Sequence, residues 1–135
     1  MSYAFNVSVK KARLPDAEEL RRRLEARGRL KLPETLDVLQ AEGFFALTLD
    51  GKDTGFEVFV GEITDQRREA YRQDLQAEGM PEDEHYRMLL ECDLTITLSG
   101  KDRREAQAAR IVATALASAA GGWFCDPQTG EEKKV

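Results

Sequence analysis

The chain has 135 residues, 41% hydrophobic and 33% charged, with 20 Lys and Arg against 25 Asp and Glu and a formal net charge of −5. One domain of this length buries roughly two-thirds of its unfolded surface without a disulfide staple, and its mixed, regularly interrupted charges exclude a disordered chain. A pI near 5.0 excludes a general nucleic-acid binder, which needs a basic field, and no apolar run reaches the roughly 18 residues of a membrane helix.

Tyr3, Phe5, Val7 and Val9 alternate with Ala4, Asn6, Ser8 and Lys10, which predicts a strand with one buried side. A helix follows from Pro15 to Gly28. Asp16, Glu18 and Glu19 oppose the positive end of its dipole, arginines sit toward the other end, and Ala17, Leu20 and Leu24 form the apolar stripe. The arginine run at 21–23 reads as a solvated face, because acids are interleaved within a turn. A shorter helix is expected from Pro33 to about Ala41, anchored by Leu36 and Leu39.

Phe45, Leu47 and Leu49, the turn Asp50–Gly55, and Phe56, Val58 and Val60 predict a hairpin. The turn lacks the spacing and closing Glu of a calcium loop. Residues 65–78 read as a polar helix ended by Gly79, Pro81 and the acids Glu82, Asp83 and Glu84. Tyr86, Met88, Leu90, Cys92, Leu94, Ile96 and Leu98 predict the longest strand, over 86–98. Ser99 to Asp102 matches a capping box ahead of a helix at 101–120, whose stripe Ala109, Val112, Ala113, Leu116 and Ala120 permits close approach to a sheet. Trp123–Cys125 is a short last strand, and 131–135 reads as a frayed charged tail after a single domain of residues 1–130.

This order predicts an α+β fold: a two-layer sandwich on the ferredoxin-like β-α-β-β-α-β plan with extra helices, the helices covering one face of a mainly antiparallel sheet. The second face then collects Phe44, Glu57, Phe59, Leu89, Glu91 and Asp93. Aromatic residues ringed by acids mark a recognition surface. Phe44, Glu57, Phe59, Glu91 and Asp93, with Glu82, Asp83 and Glu84, are the candidate contacts for a basic protein partner. A covering helix or a second copy of the chain is the competing explanation for the two phenylalanines.

The single histidine, His85, and the two cysteines, Cys92 and Cys125, offer little assembled chemistry. Cys92 falls in a core register, and Asp126 beside Cys125 disfavours its thiolate. No catalytic motif, metal spacing or phosphate loop is present in the sequence, so no cofactor and no metal is expected. The competing functional reading is a small enzyme or ligand-binding domain with a cleft near His85 and Cys125. A third is a homodimeric module joined through the open sheet face. The amino terminus lacks a secretory signal pattern, which points to a cytoplasmic protein.

The stretch Ala119-Ala-Gly-Gly-Trp-Phe-Cys-Asp-Pro-Gln-Thr-Gly130 resembles the ending of small bacterial α+β proteins, some of which resemble immunity proteins for secreted toxins. The resemblance covers about residues 86–130 and carries no catalytic residue. It implies no more than a compact acidic partner-binding protein; the leading expectation is a non-enzymatic binding protein, with an immunity protein that occludes a toxin's active site as its specific form.

Overall fold

The computed structural model describes residues 2–135. The chain builds a seven-stranded antiparallel sheet and four α-helices. The strands are β1 (Tyr3–Val9), β2 (Leu30–Lys31), β3 (Gly43–Leu49), β4 (Lys52–Glu62), β5 (Leu94–Gly100), β6 (Trp123–Asp126) and β7 (Glu131–Lys134). The helices are α1 (Ala17–Glu25), α2 (Asp65–Ala77), α3 (Glu84–Glu91) and α4 (Arg103–Ala120). The strand order is β2-β3-β4-β5-β1-β6-β7. Its two edges are a strand of two residues and a strand of four charged ones.

Strand alternation sorts the sheet into two faces. Phe5, Val7, Val9, Leu47, Phe56, Val58, Ile96, Leu98 and Phe124 are buried on the first face. α4 lies across β1, β4 and β5 there and packs on α1. Its stripe is wider than the expected one, because Ala108 and Ala117 are buried beside Ala109, Val112, Ala113 and Leu116. Small side chains bring the helix close. Gly100 sits against the first turn of α4, and Gly122 sits against the Ser8 carbonyl. Fully burying Phe56 or Phe124 contributes about 2–3 kcal/mol each.

The cap of α4 is Asp102, not Ser99. Its carboxylate accepts the Glu105 N–H at 2.9 Å, while Glu105 accepts the Lys101 N–H at 2.8 Å. Gly121, in the left-handed region at φ 60°, ends the helix.

Four further sequence expectations are overturned. Residues 33–41 form turns rather than a helix. Leu30, Leu32, Leu36 and Val38 anchor this irregular segment to the core, and Leu39 is turned outward. The strand expected over 86–98 divides into α3 and β5. His85, Met88, Leu89 and Cys92 repeat at helical spacing through the same residues that alternate. The Asp83 carboxylate settles the choice by capping α3, accepting the Tyr86 N–H at 2.8 Å. As a result Leu89 is buried and Leu90 exposed, the reverse of the strand assignment. The tail is not frayed, because 131–134 pairs with β6 as β7. Finally, helices lie on both sides of the sheet. α2 and α3 cover one end of the second face through a small cluster of Ile63, Met88, Leu89, Cys92 and Trp123, with Tyr71 against it.

Candidate interaction surface

The second face is laid out in rows that cross the sheet. Phe44, Glu57, Ser99 and Ala4 face one another on β3, β4, β5 and β1. The next row runs Phe59, Thr97, Asn6, Cys125, Glu132. The third runs Gly61, Thr95, Ser8, Trp123, Lys134. The rows begin open on β3 and β4 and end under α3 at β6 and β7.

At the open end Phe44 is 60% exposed and Phe59 51%. Neither α2 nor the segment 33–41 covers them. The Phe44 ring lies over Gly55 and takes the space of a side chain there, which buries the glycine and fixes the ring. Glu57 stands directly opposite Phe44. Polar groups continue the surface toward the centre, where the Thr97 hydroxyl donates to Asn6 Oδ1 at 2.8 Å. Rigid aromatic rings beside an acid and short polar side chains can take an apolar contact and fix its orientation with hydrogen bonds and charge.

The other predicted contact residues lie elsewhere. Glu91 ends α3 instead of sitting on a strand. It accepts from the Trp123 indole at 3.1 Å and from Lys134 Nζ at 3.0 Å, bonds that hold its carboxyl below the ordinary range. Asp93 precedes β5, and its carboxylate accepts the Lys11 N–H at 2.7 Å. Glu82 and Glu84 are exposed where α3 begins, on the unit that covers the β6–β7 end. Only Phe44, Glu57 and Phe59 are brought together.

That covering unit holds a hydrogen-bonded cluster that periodicity did not reveal. The Tyr71 hydroxyl donates to Asp83 Oδ2 at 2.5 Å, and His85 Nδ1 is 3.0 Å from Glu132 Oε1. The Tyr71 and His85 rings are 4.8 Å apart. The bond to Asp83, with burial, pushes the Tyr71 hydroxyl up to about 12. Burial pushes the Asp83 carboxyl up, but the Tyr71 and Tyr86 hydrogen bonds and nearby His85 outweigh it, and the net shift is downward. The Arg68 guanidinium ties α2 to the end of α3 by donating to the Leu89 and Cys92 carbonyls at 2.6 and 2.9 Å.

His85 and Cys125 lie on the same side of the sheet, linked through Glu132, the cross-strand partner of Cys125. The electrostatics oppose thiolate chemistry. Burial, then Glu132 and Asp126, push the Cys125 thiol up. Burial above all takes the Cys92 thiol to about 11. The cluster therefore ties α2 and α3 to each other and to β7, and burial with the neighbouring acids disfavours the thiolate of either cysteine. Trp123 and Phe124 are both buried, on opposite faces, so neither supplies a free aromatic. Among the described residues no three His, Cys, Asp or Glu side chains gather as metal ligands, and no helix is long and apolar enough to cross a membrane.

No protein family, curated protein or solved structure matches this chain.

Proposed function

We propose that this protein is a binding module whose partner is a protein with a basic surface, docked on the uncovered end of the second sheet face. The observation that carries the proposal is the pair Phe44 and Phe59, 60% and 51% exposed on adjacent strands beside Glu57. A phenylalanine has only two side-chain torsions to order on binding, so the entropic cost is small. The net charge of −5 steers a basic partner in.

Within that function we favour toxin neutralisation by occlusion, supported by the resemblance of residues 119–130 to immunity-type proteins. The inner strand order β4-β5-β1-β6, flanked by α1 and α4, supports an elaborated ferredoxin-like plan.

The test compares native-lysate partners of the wild type with those of a Glu57→Lys/Phe59→Asp variant of unchanged thermal stability. A partner held by the wild type and released by the variant is the expected result. An identical set of partners from both proteins refutes the surface assignment, and sedimentation of the pure protein as a dimer through this face would replace it with self-association. Toxin neutralisation is tested separately, by whether coexpression rescues cells from the product of an adjacent gene.

A further inference from the structure

A groove of about 540 Å³ lies between α1 and α4, on the side of the sheet away from Phe44 and Phe59. Its size is within the range of small-molecule sites. Both helices turn the same kind of pair toward it: Arg23 beside Leu24 on α1, and Arg110 beside Ile111 on α4. Arg27 and Arg29, just past α1, also line it. Leu24 and Leu30 lie at its base, 4% and 1% exposed, and the half-buried Ile111 and Ala115 extend the apolar lining. Thr114 and Ser118 line the α4 wall.

The lining carries four arginines and no acid, in a chain where acids outnumber bases. Three of the four are already engaged outside the groove. Arg23 bonds Glu19, Arg29 grips Asp50 through two bonds at 3.0 and 3.1 Å, and Arg110 bonds Asp126 and Glu131. These acids hold the guanidiniums in place without entering the groove. Arg27 makes no ion pair among the described residues. The carbonyl end of α1 adds partial negative charge at this point, but it is opposed by the charge of Arg27, which no acid pairs among the described residues.

We infer that this groove binds a small anion with an apolar body, its carboxylate, sulfonate or phosphate head on Arg27 and Arg23 and its body on Leu24, Leu30 and Ile111. An apolar floor under an arginine rim rejects both halves of the alternatives. A bare anion leaves the floor unfilled, and an apolar cation meets like charge. In this reading Arg23, the last member of the arginine run of α1, is part of the rim together with Arg27 just beyond the helix.

The test is a methyl NMR titration with decanoate below its micellar concentration, alongside acetate and decyltrimethylammonium. Saturable shifts of the Leu24, Leu30 and Ile111 methyls with decanoate alone are expected. Arg23→Glu with Arg27→Glu, both exposed positions, should weaken binding about tenfold or more. Ser118→Trp, which fills the groove from an exposed position, should abolish it. The inference is overturned if decanoate shifts nothing at millimolar concentration, if decyltrimethylammonium binds equally, or if the charge-reversed variant binds as the wild type does. Shifts confined to the Phe44–Phe59 end of the sheet would also overturn it, and would leave the proposed protein-binding face standing.

Discussion

Asp83 is the point at which a segment able to alternate as a strand becomes a helix, and replacing it with Ala tests that directly. The carboxylate makes two bonds in the structure. Oδ1 accepts the Tyr86 N–H at 2.8 Å as the N-cap of α3, and Oδ2 accepts the Tyr71 hydroxyl at 2.5 Å. Losing an Asp cap costs about 1 kcal/mol. Losing a charge-assisted bond to a half-buried hydroxyl costs about 1 kcal/mol more, below the full buried value because water partly replaces it. The total of about 2 kcal/mol should fall on the α2–α3 unit, whose apolar cluster is separate from the main core.

Hydrogen exchange is therefore the assay. Amides of α3 should lose about thirty-fold in protection, by the same conversion of about 1.4 kcal/mol per tenfold, while β1 and β5 change far less. The sign with pH follows from the downward shift of Asp83. Its contribution is complete at neutral pH and is lost as pH falls through the lowered value, below about pH 4. Tyr71 acts at the other end. Its pKa is raised to about 12, so its contribution is complete below the ordinary tyrosine value and is lost as pH climbs from there through about 12. In the Asp83→Ala protein, phenolate absorbance should show Tyr71 titrating nearer its ordinary value, with Tyr71→Phe as the control. Unchanged protection of α3 in Asp83→Ala would refute the claim that this cap decides the helix.

Arg110→Met should destabilise the fold by about 2 kcal/mol in urea unfolding. It removes the cation 2.9 Å from Asp126, whose side chain is 6% exposed. The value is below the usual cost of orphaning a buried charge because Gln128 still donates twice to that carboxylate; adding Asp126→Asn should recover part of the loss. Gly122→Ala should cost about 1–3 kcal/mol in the same assay, since its Cβ would lie 2.5 Å from the Ser8 carbonyl oxygen and 2.7 Å from Val9 Cγ1. Gly61→Ala, with open space at its Cβ, should be neutral or stabilising by up to about 0.5–1 kcal/mol.

Local pattern was enough to locate β1, α1, the β3–β4 hairpin, α2, α4 and β6, because each has one dominant period and clear stop signals. It failed where two periods coincide. In residues 85–92 the strand set and the helix set share Met88 and Cys92, and the acids before them read as the end of α2 when one of them caps α3. Pro33 read as a helix start, but the buried Leu30, Leu32, Leu36 and Val38 tie the segment to the core as bends and turns. The tail looked unanchored because its partners are distant in sequence: Glu131 meets Arg110, Glu132 meets His85, and Lys134 meets Glu91. For the same reason Phe44, Glu57 and Phe59 were legible as one surface from alternation, whereas the cover over Trp123 depends on the docking of α2 and α3. The arginine groove needs two helices packed side by side, and no single stretch of sequence contains it.

The two outer strands of the sheet have a bearing on how this molecule behaves in company. A sheet that leaves aromatic side chains in water invites other chains to join it strand by strand, and such growth starts at an edge. Here one edge offers two residues, Leu30 and Lys31, and the other is Glu131-Glu-Lys-Lys134. The first is too short to template a newcomer, and the second confronts it with charge of both signs. Growth along the hydrogen-bonding direction is thus opposed by charge at β7, whereas β2 pairs only with Thr48 and Leu49 and leaves Gly43–Leu47 of β3 without an outer strand. The open stretch of β3 carries Phe44, so the aromatic face and the one unguarded edge of the sheet meet at the same strand.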